Sequence, residues 1–325
     1  MKLYPLKFVP LLRPMIWGGS DICKFKEITP IEAGIGESWE VSDFSESMSV
    51  ITNGALSGKN LHELIVENGA ALMGQHVYDR FGNQFPLLVK FIDACNDLSI
   101  QVHPDDALAE ERHQSFGKTE MWYVINAREG AGLYSGFSTQ ITPEEYVERV
   151  KKNTFMDVLQ RYEVKSGDVF FLPAGRVHAI GSGLFVAEIQ QTSDVTYRIY
   201  DYNRLDKEGN RRELHTDLAM DAINYEVLPT YQTEYEHQEN KPVELVDCKY
   251  FHANLLELDE PMQRDLKSKD SFVIYICSAG KGAIKDAEGN SVEVKQGDTI
   301  LVPAIYADLL ITPESNLNLL EVYIP

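Results

Sequence analysis

Residues 164–180, VKSGDVFFLPAGRVHAI, and residues 294–310, VKQGDTILVPAIYADLL, are two versions of one short unit. In both copies a Gly-Asp turn leads into an apolar run that ends at a proline. Short apolar runs bounded by turn residues are typical of β-strands. A repeated unit of this kind is typical of a β-sandwich or jelly roll. The sequence therefore predicts a mainly β fold with two related halves.

The two copies differ at a position that matters for chemistry. His178 in the first copy stands where the second copy has Asp308, and Gly175 stands where the second has Ile305. Imidazole is a common metal ligand and a common general acid or base. The first copy thus carries a candidate functional residue that the second copy lacks.

A second candidate strand, LSIQVHP at residues 98–104, alternates apolar and polar side chains. Successive side chains of a strand point to opposite faces of the sheet. The apolar residues predicted to share one face are Leu98, Ile100 and Val102. The polar residues predicted to share the other face are Ser99, Gln101 and His103. If the polar face points into a barrel, it forms the wall of a site.

A polar connector at residues 230–242 separates the two halves of the chain. We predict one domain over residues 1–235 and a second over residues 236–325. Helical patterns are confined to the first domain, at residues 61–74, 104–115, 138–150 and 213–223. The second domain is β-patterned almost throughout.

Composition limits the classes of function. The chain has 325 residues and a formal net charge of −20 at pH 7. Binding to nucleic acids or to anionic membranes relies on Lys and Arg, so the sequence predicts neither partner. The cysteines are Cys23, Cys95, Cys248 and Cys277. They form no CxxC pair, and the N-terminus has no signal-peptide pattern, so we expect reduced thiols in a cytoplasmic protein.

The first copy of the repeat resembles the second cupin motif, G-x5-P-x-G-x2-H. The matching residues are Gly167, Pro173, Gly175 and His178. The Asn that usually follows is replaced by Ser182. Cupins are double-sheet jelly rolls that bind a metal inside the barrel. The resemblance therefore implies two cupin β-barrels with a few short helices, the second barrel being degenerate and metal-free.

The chain is similar over most of its length to the type I phosphomannose isomerases in their short bacterial form. The motifs that carry this resemblance are QVHPDD, GKTEMWYV, PAGRVHAIGSG and EIQQTSDVTYRIYDYNR, in that order. The resemblance implies a zinc-dependent aldose–ketose isomerase that interconverts mannose 6-phosphate and fructose 6-phosphate through an enediol intermediate. These sugar phosphates are the implied partners. The oligomeric state stays open, and a monomer is compatible with the sequence.

The resemblance also implies a set of metal ligands. His103, Glu120 and His178 match its main ligand positions, and Gln101 matches a further one. Two imidazoles and one carboxylate form a known catalytic zinc set that leaves room for water or substrate. An amide oxygen is a weaker zinc ligand than an imidazole or a carboxylate, so Gln101 ranks after the other three.

Three further residues match the family's pocket. Arg198 corresponds to its catalytic arginine, and Lys118 and Glu188 correspond to residues that line it. Isomerisation moves a proton between C2 and C1, which requires a base and a cation that offsets the enediolate charge. We expect Lys118 near the sugar and Glu188 as a proton relay. A structural ion pair between Lys118 and Glu188 is the alternative.

The substrate's phosphate requires contacts of its own. Ser99 faces the predicted lumen and is a candidate hydrogen-bond donor, as Lys118 is for the sugar. Arg176 or Lys90 is a candidate for the phosphate charge, since Arg binds phosphate through two parallel hydrogen bonds and Lys acts as a point charge. In a chain this acidic, a sugar-phosphate site requires a concentrated basic pocket.

Two other functions fit a cupin with this ligand set. One is a carbohydrate-binding protein without catalysis, and the other is an iron-dependent oxidoreductase, because two His and a carboxylate also hold iron. Metal content and oxygen dependence separate the three alternatives.

Overall fold

The computed structural model describes residues 2–44, 46–205, 208–306 and 308–325. The second repeat copy is therefore described except at residue 307. The chain is mainly β with a few short helices, which confirms that part of the predicted fold class. The strands of the first half are β1 (Leu6–Lys7), β2 (Leu11–Gly19), β3 (Ile35–Val41), β4 (Asp43–Phe44), β5 (Ser47–Met48), β6 (Leu87–Ala94), β7 (Ile100–Val102), β8 (Glu120–Ala127), β9 (Gly132–Phe137), β10 (Leu159–Glu163), β11 (Val169–Leu172), β12 (His178–Ile180), β13 (Leu184–Gln191), β14 (Tyr197–Tyr200) and β15 (Gln232–Thr233).

Short α-helices punctuate the first half, and strands follow in the second. The helices are α1 (Asp21–Phe25), α2 (Leu61–Asn68), α3 (Ala70–Met73), α4 (Gln75–Phe81), α5 (Asp106–His113), α6 (Pro143–Lys152) and α7 (Thr216–Ala222). The remaining strands are β16 (Pro242–Asp247), β17 (His252–Leu258), β18 (Met262–Asp265), β19 (Val273–Ala279), β20 (Lys281–Asp286), β21 (Ser291–Lys295), β22 (Thr299–Val302), β23 (Asp308–Pro313) and β24 (Leu317–Tyr323).

Two sheets of the first half pack face to face. One has the strand order β15-β11-β8-β13-β6-β2-β3, and the other has the order β10-β9-β12-β7-β14. A buried apolar cluster lies between them, with Ile92 and Trp122 from the first sheet and Leu133 and Ile180 from the second. Inward-facing side chains from both sheets therefore meet in one interior, where the polar residues of the site also lie.

The second half repeats this arrangement with different strands. Its sheets have the orders β1-β22-β19-β24-β17-β16 and β18-β23-β20-β21, and Tyr275, Leu319, Ile284 and Ile311 fill the space between them. Strand β1 comes from the N-terminal part of the chain and pairs antiparallel with β22. The domain boundary between residues 235 and 236 stays a prediction. The pairing of β1 with β22 joins residues from opposite sides of that boundary.

The predicted helix at residues 61–74 is divided in two. Gly69 has a φ of +47° and separates α2 from α3, because a left-handed residue cannot continue an α-helix. The predicted helix around Pro143 is confirmed as α6, with Thr142 as its N-cap. Part of the connector at residues 230–242 forms strand β15, which pairs with β11.

The predicted alternation of side chains along LSIQVHP is wrong at its first residue, Leu98. Leu98 packs in the cluster between the two sheets, whereas Ile100 and Val102 pack in a separate cluster on the other side of the second sheet. The regular strand β7 begins only at Ile100, so the alternation does not extend back to residue 98.

Two general features accompany the fold. No helix among the described residues is long and apolar enough to cross a membrane. Each of the four cysteines is unpaired.

Candidate metal and substrate site

The first sheet contributes a row of side chains that crosses four neighbouring strands. Antiparallel pairing places Trp39 of β3 beside Lys90 of β6, and Lys90 beside Glu188 of β13. Glu188 in turn lies beside Trp122 of β8. Two charged residues thus occupy the interior face between two indole rings.

The second sheet contributes a facing row. Gln101 of β7 lies between His178 of β12 and Arg198 of β14, because β7 pairs with both strands. The period of two along β7 then places His103, one residue beyond the strand, on the same face as Gln101. The polar face predicted from LSIQVHP therefore points into the interior.

His103, Glu120 and His178 meet between the two sheets. Nε2 of His103 lies 3.5 Å from Oε2 of Glu120, and Nε2 of His178 lies 3.3 Å from Oε1 of the same carboxylate. One ligand atom from each residue lies within 4.8 Å of the others. All three side chains are buried.

Backbone carbonyls fix the tautomer of each imidazole. Nδ1 of His103 lies 3.0 Å from the carbonyl oxygen of Val195, and Nδ1 of His178 lies 2.8 Å from that of Arg176. Since a carbonyl oxygen only accepts, Nδ1 carries the proton in both rings. Each Nε2 lone pair is left facing Glu120, which is the arrangement found in metal-ligating histidines.

Burial sets the charge of the three groups. It lowers the pKa of His178 to about 3 and lowers the pKa of His103 well below its usual range, so both rings are neutral at pH 7. Burial also raises the pKa of Glu120 to about 7, against the opposing effect of the Lys118 ammonium. Neutral imidazoles are the form that binds a metal.

The three residues fit a metal ion. Nε2 of His103 and both carboxylate oxygens of Glu120 are buried and have no hydrogen-bond partner among the described residues. Each such atom costs about 1–3 kcal/mol. The Lys118 ammonium, with Nζ 3.1 Å from Oε2 of Glu120, compensates only part of that cost. A cation bound between the three side chains would satisfy all of these atoms.

Gln101 lies next to the three residues. Its Nε2 is 3.3 Å from Nε2 of His178, and a half-turn of the amide group presents Oε1 at that place instead. Gln101 is therefore placed to add an oxygen to the set formed by the two histidines and the glutamate.

Lys118 and Glu188 take part in two different ion pairs. Lys118 lies against Glu120, whereas Oε2 of Glu188 lies 3.6 Å from Nζ of Lys90. Burial alone would lower the pKa of Lys118, but the Glu120 and Glu188 carboxylates outweigh it and raise that pKa. Burial alone would raise the pKa of Glu188, but the Lys90 and Lys118 ammonium groups outweigh it and lower that pKa below its usual value. Both groups are charged at neutral pH.

A cavity of about 290 Å³ opens beside the three residues. Its size is close to the lower limit of roughly 300 Å³ for small-molecule sites. The predicted site residues in its lining are Ser99, Gln101, Lys118, Glu188 and Arg198. Its basic side chains, Lys90, Lys118, Arg198 and Arg212, outnumber its acidic ones, Glu37, Glu188 and Asp194, so the cavity offers positive charge to an anionic substrate.

Arg176 lies apart from this cavity. Its guanidinium carbon is 4.3 Å from the centroid of the Tyr231 ring, and Arg176 is absent from the cavity lining. Only its backbone carbonyl contacts the site, by accepting from His178. The expectation that Arg176 binds the phosphate is not supported, because the loop before β12 turns this side chain onto an aromatic ring.

Sequence reasoning missed Arg212. Its Nε and Nη2 donate to the two oxygens of Asp201 at 2.8 and 2.7 Å, and Arg204 Nε also donates to Asp201 at 3.1 Å. Two arginines thus share one carboxylate and leave an excess positive charge beside Arg198. The adjacent basic pair Arg211–Arg212 was a visible signal, but a loop without periodicity does not show where its side chains point.

A larger cavity lies in the second half of the molecule. It measures about 590 Å³ and is lined in part by His237, Glu239, Glu257 and Asp259. Among its described lining residues there is no Lys or Arg. An acidic lining repels a phosphate, so this cavity does not compete as the sugar-phosphate site.

Comparisons with known proteins agree with this geometry. The family described as phosphomannose isomerase type I, catalytic domain, matches residues 6–126. The mannose-6-phosphate isomerase ManA of Bacillus subtilis is 36% identical over 306 residues, which cover 93% of this chain and 94% of that protein. The mannose-6-phosphate isomerase of Streptococcus mutans is 39% identical over 224 residues, or 67% of each chain. The crystal structure of the Bacillus subtilis mannose 6-phosphate isomerase superposes with a TM-score of 0.87 at 31% identity, covering 98% of this chain and 99% of that one.

Proposed function

The chain belongs to the type I phosphomannose isomerases, and from that membership we propose that it interconverts mannose 6-phosphate and fructose 6-phosphate with a bound zinc ion. The observation that carries the proposal is the set of buried, unpartnered atoms of His103 and Glu120, with Nε2 of His178 3.3 Å from the same carboxylate, beside a cavity that contains basic side chains. Gln101 is the proposed fourth ligand. Zinc fits two neutral imidazoles and one carboxylate.

The two pairs of facing sheets support a division into two cupin barrels, of which only the first is catalytic. Asp308 replaces His178 in the second copy of the repeat. Its carboxylate already accepts from Gln263 at 2.6 Å and from Lys267 at 2.8 Å. A carboxylate with these partners has a structural role, and we propose that the second barrel binds no metal.

The residues of the cavity divide the chemistry between them. When bound, zinc supplies Lewis-acid polarisation of the sugar oxygens. The Lys118 ammonium can donate a hydrogen bond to an oxygen that becomes negative as the enediol forms. Glu188 is kept ionised by two lysines and can take the proton from C2 of the aldose and return it to C1.

Arg198 is the proposed electrostatic catalyst. Its Nη1 donates to the carbonyl oxygen of Glu213 at 2.9 Å, while its Nε is buried without a partner among the described residues. A guanidinium with free donors on the wall of a small cavity offers positive charge to a developing enediolate. The charge is in place before reaction, because the Glu213 contact holds the side chain.

The substrate's phosphate is assigned to the basic end of the cavity. Arg212 lines the cavity, and Ser99 and Lys90 are further donors in the same lining. Asp201 orients Arg212 by accepting from its Nε and Nη2. A guanidinium held in this way is suited to phosphate recognition.

Replacement of Arg212 by glutamine is expected to raise the KM for mannose 6-phosphate by roughly 10- to 100-fold, with kcat within about threefold of the wild type. The range corresponds to one charge-assisted hydrogen bond of about 1.5–3 kcal/mol to a part of the substrate that does not react. Initial rates over a series of substrate concentrations give both constants. The matched control is Arg176→Gln, which should leave KM unchanged. A raised KM in the Arg176 variant alone would contradict the assignment.

A coupled assay for fructose 6-phosphate formed from mannose 6-phosphate tests the function itself. A strong chelator is expected to abolish turnover, and added zinc should restore it, because the site's unpartnered atoms require a cation. A zinc-replete preparation that binds sugar phosphate without turnover would favour the carbohydrate-binding alternative. Bound iron with oxygen consumption would favour the oxidoreductase.

A cytoplasmic location belongs to the same proposal. Four unpaired cysteines suit a reducing compartment. Partners are limited to small sugar phosphates, since the charge of −20 opposes nucleic acids and anionic membranes. The cavity is complete within one chain, so the proposal does not require an oligomer.

A further inference from the structure

A hydrogen-bonded bridge leads from the second half of the molecule toward the metal ligands. Tyr250 lies in the turn between β16 and β17, and its hydroxyl donates to Oδ2 of Asp106 at 2.7 Å. Asp106 opens α5 and follows the proposed ligand His103 by three residues. The turn of a C-terminal hairpin therefore contacts the segment that leaves the site.

The bridge continues through the other oxygen of Asp106. This Oδ1 accepts from Nε2 of Gln191 at 2.9 Å and from the backbone N–H of Gly117 at 3.0 Å. Oε1 of Gln191 then accepts from the backbone N–H of Thr119 at 2.9 Å. Thr119 lies between the cavity lysine and the metal-binding glutamate, and both Gln191 and Thr119 are buried.

Two backbone contacts connect the third ligand to the same assembly. The N–H of Ala174 donates to Oγ1 of Thr119 at 3.2 Å, and the N–H of Gly175 donates to the carbonyl oxygen of His103 at 2.9 Å. Both donors precede His178 by a few residues. Hydrogen bonds thus join the three segments that carry the proposed ligands. Tyr250 of the second half contacts this assembly through Asp106.

Another contact between the halves does not reach the site in this way. The carboxylate of Asp270 accepts from the first N–H groups of α4. This contact joins the two halves, but it ends on α4, which carries none of the proposed metal ligands.

We propose that Tyr250 and Asp106 are positioning residues for the metal site. Acting through Gln191, they fix the backbone at Thr119 and hence the Glu120 carboxylate at the place that the two imidazoles require. The inference rests on the proposed metal site and gives the C-terminal half a part in catalysis without a ligand of its own. A residue that orients a ligand through intermediates affects metal affinity and rate, while it leaves the substrate contacts unchanged.

Tyr250→Phe removes the hydroxyl alone and is the first test. Zinc affinity is measured by competition with a chromophoric chelator, and kcat and KM are measured on the zinc-loaded protein. We expect the zinc dissociation constant to rise about 3- to 10-fold and kcat to fall by a similar factor at unchanged KM. Asp106→Asn should act more strongly, by about 10- to 100-fold in zinc affinity. Helix α5 keeps its start in that variant, since Asp105 is the N-cap.

Asp270→Asn is the matched control, because it weakens a contact between the halves that ends on α4 rather than on a ligand-bearing segment. It should bind zinc as the wild type does, even if its melting temperature falls as far as that of Tyr250→Phe. Wild-type zinc affinity in both Tyr250→Phe and Asp106→Asn would overturn the inference. A wild type that binds zinc but does not isomerise, together with variants that bind zinc more weakly, would defeat the proposed function and leave the positioning role standing.

Discussion

Replacement of His178 by alanine is expected to remove both the metal and catalysis. The value of kcat/KM should fall by more than about a thousandfold, which equals about 4 kcal/mol of transition-state stabilisation. The reason is geometric, because the set contains only two imidazoles and His178 directs its free Nε2 at Glu120 from 3.3 Å. With His178 absent, one imidazole, one carboxylate and the Gln101 amide are left, and such a set is a weak site for zinc.

Metal content of the purified variant, measured by elemental analysis, and the coupled assay give the two readouts. The ring of His178 also packs 4.8 Å from that of His103 and 5.2 Å from that of Trp122, so alanine leaves a void. His178→Gln has nearly the volume of the native residue and separates loss of packing from loss of a ligand. Both variants should lack metal.

The repeat provides the matched control. Asp308→Ala changes the equivalent position of the second copy, where the carboxylate contacts Lys267 and Gln263. Its metal content and rate should equal those of the wild type, with any effect confined to melting temperature. A His178→Ala protein that retains one equivalent of metal and near-native turnover would show that the site lies elsewhere.

The second large effect is expected at Arg198. Arg198→Ala should retain zinc but lose about 10²- to 10³-fold in kcat, the usual cost of removing one preorganised donor from a developing oxyanion. Arg198 lines the cavity on the strand next to Gln101 and contacts none of the three main ligands directly. The combination of full metal content with a low rate distinguishes it from His178.

Two further variants refine this test. Arg198→Lys keeps a positive charge but lacks the planar fork, so it should recover only part of the rate. Arg128→Ala removes an exposed arginine that pairs with Asp21 at 3.1 Å, and it should be silent. A near-native rate in Arg198→Ala would refute its catalytic role, and loss of zinc in that variant would make Arg198 a structural residue.

The residues that sequence reasoning places well are those on regular strands. The period of two along β7 is enough to put Gln101 and His103 on one face, and the repeat identifies His178 on a partner strand. Glu120 follows from the family motif at the start of β8. Alternation is a local property, so the inward faces can be read before the strands are known to pair.

The residues that it misplaces lie in loops or depend on distant contacts. Arg176 precedes β12, and an aromatic ring determines its direction. Arg212 reaches the cavity because Asp201 holds it, and Leu98 lies just before the regular part of its strand. The pairing of β1 with β22 joins residues far apart in sequence, and no local sequence pattern predicts it.

That last pairing has a consequence for how the chain is made. On a ribosome, strand β1 emerges early, but its partner β22 is synthesised only near the end. The edge of that sheet therefore stays open until synthesis is almost complete. A fragment that starts at residue 236 would expose the backbone edge of β22 together with Ile300 and Leu301, which are buried in the intact chain. Open apolar edges recruit other chains, so such a fragment is expected to aggregate.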